Sequence, residues 1–386
     1  MRAGVGGARV TSVTDPPKGI SIPADLLPSD GRFGSGPSKI RPEATSALAA
    51  IAPRYLGTSH RQDAVRGQVG RLRAGLSTVF ALPEGWEVVL GNGGTTSFWD
   101  AAVFGLIEAR SQHLVFGEFS GKFAAAVAAA PFLELPEIVE SEPGTHPWPK
   151  AQDGIDVYAL THNETSTGVS MPLERPAAEG LVLVDATSAA GAVRWEPAEV
   201  DVYEFAPQKA LSSEGGLWLA ACSPAAIERI ERIAGGGRWI PPSLDLSIAV
   251  DSSRKDQTYN TPALATIFLA AEQVEWMLAQ GGLEWAARRC ELSSATLYAW
   301  AERSELATPF VTDQAMRSPV VCTIDFDDSV DAMELAATLR ANGIVDVEPY
   351  RKLGRNQLRV ATFPSIEPED VSALCACLDH VLERLT

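Results

Sequence analysis

From Arg41 to about Cys222 the chain alternates short apolar runs with longer amphipathic stretches, and few architectures accommodate that pattern. The runs are Glu87–Leu90, His113–Phe116, Val157–Leu160, Leu181–Val184 and Leu217–Ala221, each four or five residues long. Among them lie stretches with helical spacing: Pro42–Ile51, Gln62–Phe80, Thr96–Ala109 and Gly121–Ala130. A short run that is apolar throughout reads as a strand covered on both faces, whereas a half-exposed strand would alternate. The pattern predicts an α/β fold, a mostly parallel sheet flanked by helices. Ligands in such sheets gather at the carboxyl ends of the strands, so the loops after these runs are where chemistry is expected.

A chain of 386 residues exceeds one simple core, so two domains are expected. Residues 1–35, rich in Gly, Pro, Ser and Thr, read as an arm; 36–285 form the large domain and 286–386 a smaller α+β domain. The large domain ends in a long helical stretch, from Asn260-Thr261-Pro262 to about Arg303, that bridges the two. The small domain should run Val320–Phe326 (strand), Ala332–Asn342 (helix), Val345–Glu348 and Gln357–Thr362 (strands), and Glu367–Arg384 (helix).

The formal net charge is −17. Such a surface argues against nucleic acid and against an acidic membrane face, both of which select cationic proteins. No apolar run approaches the roughly 18–20 residues of a bilayer span, and no secretion signal is evident. Five cysteines without paired spacing fit a reducing compartment, and a cytoplasmic enzyme is expected. His113, His146, His162 and His380 show no ligand spacing, and Cys375 and Cys377 fall on an expected helix, so no metal site is expected.

Three motifs carry chemistry. Gly91-Asn92-Gly93-Gly94-Thr95-Thr96 follows a strand and opens a helix, where free N–H groups can cradle an anion; it also reads as a plain tight turn. It lacks the third glycine of a dinucleotide site and the lysine of a P-loop. Asp185 ends the run Leu181–Val184 and can hold a cation or a protonated ring nitrogen, or simply cap the next helix. Lys209, in Phe205-Ala206-Pro207-Gln208-Lys209, sits among apolar residues, a setting that lowers a lysine pKa and makes it a nucleophile; alone it also reads as a snorkelling lysine. Phosphate cup, carboxylate and lysine, in that order, are what pyridoxal 5′-phosphate requires.

With these motifs go Gly57-Thr58-Ser59-His60-Arg61, Gly117-Glu118-Phe119-Ser120, His162-Asn163-Glu164-Thr165-Ser166-Thr167-Gly168-Val169, Gln257-Thr258-Tyr259-Asn260-Thr261-Pro262 and Glu348-Pro349-Tyr350-Arg351-Lys352-Leu353-Gly354-Arg355. Together they resemble the class V aminotransferases of pyridoxal-phosphate fold type I, and most of all the phosphoserine aminotransferase family of the actinobacterial kind, over about Gly31 to Thr386. The resemblance implies that Lys209 anchors the cofactor covalently and that Asp185 meets its ring nitrogen. It implies Thr165 on the phenolic oxygen, Gly94, Thr95 and Gln208 on the phosphate, and Phe119 stacked on the ring where many relatives have Trp. Asn260 and Thr261 would reach the phosphate from a second copy, making a homodimer. His60, Arg61, Arg351 and Arg359 would bind the substrate anions.

The implied reaction is transamination of 3-phosphohydroxypyruvate with L-glutamate, giving O-phospho-L-serine and 2-oxoglutarate, in serine biosynthesis, with pyridoxine biosynthesis as a further use. Lys352 and Arg355 read as solvated. One departure is Thr96, where many relatives carry an Arg, which leaves open what reads the substrate phosphate. Alternatives are a serine– or alanine–glyoxylate aminotransferase, a cysteine desulfurase and a non-catalytic binding module. The desulfurase fits poorly, because Phe119 and Gln208 stand where it places histidines. The intact Lys209/Asp185 pair argues against the non-catalytic reading.

Overall fold

The computed structural model describes residues 19–385. The chain order is α1 (Pro42–Tyr55), α2 (Asp63–Val79), β1 (Glu87–Asn92), α3 (Thr95–Gly105), β2 (Ser111–Val115), α4 (Glu118–Ala128), β3 (Glu137–Glu140) and β4 (Val157–Thr161). A small hairpin, β5 (Asn163–Glu164) and β6 (Val169–Ser170), precedes β7 (Leu181–Asp185), β8 (Val202–Phe205), β9 (Leu217–Cys222), α5 (Pro224–Gly235) and α6 (Leu246–Ser253). Then come α7 (Leu264–Gln280), α8 (Gly282–Arg303), β10 (Ala307–Pro309), β11 (Val321–Phe326), α9 (Ala332–Ala341), β12 (Gln357–Ala361) and α10 (Pro368–Leu385).

Seven strands form one sheet in the order β1-β9-β8-β7-β4-β2-β3. From β8 to β3 every pairing is parallel, and β9 alone runs antiparallel to both of its neighbours. Because β9 returns from β8 directly, the connecting loop 206–216 stays at the carboxyl edge of the parallel strands. The end of β1 reaches the same edge. Topology alone therefore gathers Gly94, Asp185 and Lys209, which lie far apart in sequence.

Side-chain parity explains the apolar runs. Val182 and Val184 enter one core with Leu72 and Leu76 of α2 and Val274 of α7. Leu181 and Leu183 enter another with Phe98 and Trp99 of α3, Phe123 of α4 and Ile227 of α5. A strand buried on both faces has no polar period to show.

The C-terminal region folds around a three-stranded sheet, β10-β11-β12, with α8, α9 and α10. The part of the expected arm that is described, residues 19–35, is built into this core. Phe33 is fully buried there, the Ile22 N–H donates to Asn342 Oδ1 at 2.9 Å, and the Ser29 N–H donates to Asp370 Oδ1 at 2.7 Å. Residues 1–18 of the arm lie outside the described residues.

Three elements differ from expectation. The long helix is two, broken where Gly281 and Gly282 take φ of +127° and +70°, the left-handed region that glycine enters without strain. Val345–Glu348 is not a strand, because Asp346 adopts φ +66° and ends the extended run. The Val347 carbonyl still accepts the Arg359 N–H of β12 at 2.9 Å, and the third strand of the small sheet is β10, antiparallel to β11 at the opposite edge. Among the described residues no helix is long and apolar enough to cross a membrane.

Candidate active site

A cavity of about 280 Å³ opens at the carboxyl edge of the sheet. Seven expected residues line it: Gly94, Thr95, Phe119, Thr165, Asp185, Gln208 and Lys209. Its rim begins at the start of α3, where Gly93 (φ +112°) turns the chain off β1 and Gly94 caps the helix. A helix start leaves its first N–H groups unpaired within the helix and carries a positive dipole end. No acidic residue occupies that first turn. The Thr95 and Thr187 hydroxyls meet across the rim at 2.6 Å.

Asp185, at the tip of β7, is buried and accepts the Thr187 N–H at 2.9 Å. Burial raises its carboxyl to about 6, with Glu164 adding to the rise, while the Thr187 hydrogen bonds and Lys209 pull it down. Opposite, burial and the nearby Arg359 lower the Lys209 ammonium to about 8, against the opposing pull of Asp185 and Glu164. The Lys209 Nζ donates to the Ser35 carbonyl at 2.6 Å. Gly36 passes so close that a Cβ there would lie 2.0 Å from that nitrogen. A titratable lysine and carboxylate, pushed toward each other's range in one cleft, are what acid–base chemistry near neutral pH needs.

The β5–β6 hairpin lends Asn163 and Thr165 to the lining, and β12 of the C-terminal region stands behind it. Thr165 Oγ1 donates to Ser188 Oγ at 2.9 Å, and its carbonyl accepts from Arg359 Nη1 at 3.2 Å. Arg359, on β12, lies 5.2 Å over the Tyr350 ring, which in turn stands 5.9 Å from Phe119. Phe119 is held by Glu164, a fully buried residue of the hairpin. The Glu164 carboxyl accepts from the N–H groups of Phe119, Ser120 and Ser166 and from the Ser120 and Ser166 hydroxyls, at 2.7–3.1 Å. Those contacts fix the first turn of α4, which carries the ring.

Several polar atoms here are buried without a partner among the described residues: Asn163 Oδ1, Gln208 Oε1 and Arg359 Nε. Unpaired buried groups cost about 1–3 kcal/mol each, so a site that keeps three is shaped for a polar ligand. The donor set fits pyridoxal phosphate: a helix start with Thr95, Thr187 and Gln208 for an anion, Asp185 for a ring nitrogen, Lys209 for an aldehyde and Phe119 for a ring face.

Sequence reasoning misses Thr96, Trp99, Asn163, Thr187 and Ser188 as lining residues. Thr187 and Ser188 follow Asp185 directly, so the position of Asp185 at a strand end is the available signal. Trp99, on α3 one turn beyond the glycine-rich start, reads from the sequence as core or interface.

The other expected residues do not line this cavity. His60 Nδ1 lies 3.2 Å from Thr261 Oγ1, and Asn92 Nδ2 donates to the Thr261 carbonyl at 2.9 Å. Asn260 closes the same turn, its carbonyl accepting from Thr258 Oγ1 at 2.5 Å. His60 Nε2 is buried without a partner among the described residues. Arg61 and Arg351 are exposed, and neither forms an ion pair among the described residues. Lys352, by contrast, pairs with Glu118, and Arg355 pairs with Asp325.

Comparison with known proteins gives this geometry its setting. The family described as Aminotransferase class-V matches residues 143–346. A phosphoserine aminotransferase of Nocardioides sp. (strain ATCC BAA-499 / JS614) is 58% identical over 370 residues, covering 95% of this chain and 99% of its own. A Mycolicibacterium vanbaalenii protein, provisionally given the same name, is 59% identical over 368 residues, 95% of this chain and 99% of its own. Among solved structures, the phosphoserine aminotransferase of Cytophaga hutchinsonii superposes with a TM-score of 0.84 at 23% identity, over 91% of this chain and 99% of its own; that likeness speaks for the fold. With a family match over more than half of the chain and relatives this similar over nearly all of it, the chain belongs to the class V aminotransferases, in their phosphoserine aminotransferase branch, and is an enzyme.

Proposed function

We propose that the protein transfers the amino group of L-glutamate to 3-phosphohydroxypyruvate, giving O-phospho-L-serine and 2-oxoglutarate, with pyridoxal phosphate as cofactor. The observation that carries this reading is the facing of Asp185 and Lys209 across one cavity beneath the start of α3. When bound, the cofactor supplies an electron sink for the bond broken at the substrate Cα. Asp185 keeps the ring nitrogen protonated, which that sink requires. Lys209, an amine lowered to about 8, can take the Cα proton near neutral pH and return it. Thr95, Thr187 and Gln208 hold the phosphate, Thr165 the phenolic oxygen, and Phe119 one ring face.

Substrate anions require cations. Arg359 is directed at the cavity wall with Nε free, and we assign it the α-carboxylate, which suits a guanidinium fork. His60, Arg61 and Arg351 take the distal carboxylate or phosphate, with His60 and Arg61, like Asn260 and Thr261, supplied by a second copy. Thr96 lines the cavity as a neutral residue, so the substrate phosphate must be read by these cations. The product would serve serine biosynthesis, and pyridoxine biosynthesis is a further use.

The deciding measurement is the half-reaction with phosphoserine against serine, monitored by the visible absorbance of the bound cofactor. Phosphoserine should react at least about 100-fold faster, since one ionic group buried against placed cations is worth several kcal/mol. Equal rates would favour a serine– or alanine–glyoxylate enzyme. Lys209→Ala should abolish turnover.

A further inference from the structure

Beside Asp185 stands a second carboxyl that the chemistry above does not use. Strands β7 and β8 run parallel, and their register pairs Asp185 with Glu204. Register partners on adjacent strands share a face about 4.8 Å apart, and here that face is the one covered by α3. Glu204 is fully buried. Its Oε1 accepts the Trp99 indole N–H at 3.1 Å, and its Oε2 has no partner among the described residues. Trp99 itself lines the cavity and lies nearly flat against Phe123, with ring centroids 5.7 Å apart and planes at 11°.

Among the described residues, none of the salt bridges involves Glu204. Across β9 its register partner is Ala220. From β7 comes Asp185, and from α3 comes Trp99; the one charged residue of α3, Asp100, is exposed. On its own strand the titratable neighbour is the Tyr203 phenol. Lys209, Glu164 and Arg359 act on the Asp185 and Lys209 side of the cavity. A carboxylate buried with one N–H donor and no cation would lack the compensation an ion needs. Burial first, and Asp185 second, push Glu204 well above the usual carboxylate range, against the Trp99 hydrogen bond. Two carboxyls side by side in a dry sheet do not both ionise. The Thr187 N–H and Lys209 place the charge on Asp185.

We propose that Glu204 is a positioning residue of this site: through the Trp99 indole it fixes the cavity wall beside Asp185, and by keeping the proton of the pair it leaves the negative charge on Asp185. The role rests on reading Asp185 as the partner of the cofactor ring nitrogen. Glu204 touches neither cofactor nor substrate; it acts through its two neighbours. Environments that push two adjacent carboxyls apart are a recurrent way to assign one as acid and the other as base.

The test uses full-length Glu204→Gln and Glu204→Ala. In cofactor-free protein at neutral pH, the infrared band of a protonated carboxyl should be present and should vanish in Glu204→Gln. Because Gln keeps both neutrality and an acceptor for Trp99, the pH midpoint of the bound cofactor's visible band should move by less than about half a unit. Glu204→Ala leaves the buried indole N–H unpaired and should weaken cofactor binding about tenfold. Should that variant not fold, Trp99→Phe removes the donor while keeping a ring, and should weaken binding in the same direction. An unchanged infrared spectrum, a midpoint moved by a unit or more in Glu204→Gln, or wild-type affinity in Glu204→Ala or Trp99→Phe would each overturn the proposal. Failure of the cofactor reading looks different: the wild type would show no visible band on adding pyridoxal phosphate, while the infrared band would still report the state of Glu204.

Discussion

Burying Asp185 and Lys209 in one cavity costs the unliganded protein stability, and pH exposes the cost of each. Lys209 ionises near about 8 when folded, against 10.5 as the ordinary value. Between those limits the unfolded chain alone holds the proton, so folding stability should rise with pH across this window and fall as pH drops through about 8. Asp185 runs the other way. Its folded value is about 6 against an ordinary 3.8, so its contribution is favourable at low pH and is lost as pH rises through about 6. Cofactor-free Asp185→Asn should therefore gain thermal stability over the wild type above pH 6 and match it more closely near pH 4, while losing cofactor affinity. A melting series over pH checks both signs; a variant less stable than wild type above pH 6 would contradict this account of Asp185. Glu164 poses the opposite case, a buried carboxyl with five donors. Glu164→Gln would turn one acceptor oxygen into an NH₂ facing N–H donors. It should destabilise the protein by about 3 kcal/mol and loosen Phe119, measurable as a lower melting temperature together with weaker cofactor binding.

Elements are legible where pattern and burial agree. The strands that lead to Gly94 and end in Asp185 are buried on both faces, and the runs Glu87–Leu90 and Leu181–Val184 fall inside β1 and β7. Strand β8, Val-Tyr-Glu-Phe, is not legible, because Glu204 interrupts an otherwise apolar run although it is fully buried. Strand β3, Glu-Ile-Val-Glu, lies at the edge of the sheet and reads as surface. Glycine-dependent features also escape: the Gly281–Gly282 break inside a continuous helical pattern, and the packing of Ser35–Gly36 against Lys209, which no local pattern encodes. The lysine, the aspartate and the phosphate cup are visible because each sits at the end of a recognisable strand or loop; Glu164, Thr187 and Trp99 gain meaning only once the topology brings them together. The segment over Lys209 yields a prediction at this scale. Gly36 has φ +142° and no room for a Cβ beside the Lys209 Nζ. Gly36→Ala should fold, since the clash is with the end of a flexible side chain, but displace that amine. Misplacement of a reacting group by an ångström costs about 100-fold, so kcat should fall by that order, alongside the lowered melting temperature that a side chain at this φ brings. Unaltered kcat would show that Lys209 moves aside freely.

At the scale of the whole molecule, the question is how a chain of net charge −17 collects anions. Screening at physiological salt confines the excess of Asp and Glu to about 8 Å, so local cations decide. Two of the expected ones, Arg61 and Arg351, are exposed and form no ion pair among the described residues. Arg61 follows His60, whose ring meets Thr261, and is not among the residues lining the chain's own cavity. Exposed Leu56 and Tyr259 flank the same two sequence segments. Two exposed side chains, idle cations and a His60 Nε2 without a partner among the described residues are what one half of a two-fold contact would present, each copy lending His60, Arg61, Asn260 and Thr261 to the other's cavity. The arrangement predicts complementation between two dead variants. Lys209→Ala lacks the amine but keeps Arg61; Arg61→Ala lacks the cation but keeps Lys209. Unfolded together and refolded, half of the dimers should be mixed. In each of these one cavity joins the intact Lys209 of one copy to the intact Arg61 of the other, so activity should recover to about a quarter of wild type. If Arg61 instead served the cavity of its own chain, every cavity in the mixture would carry one lesion and no activity would return.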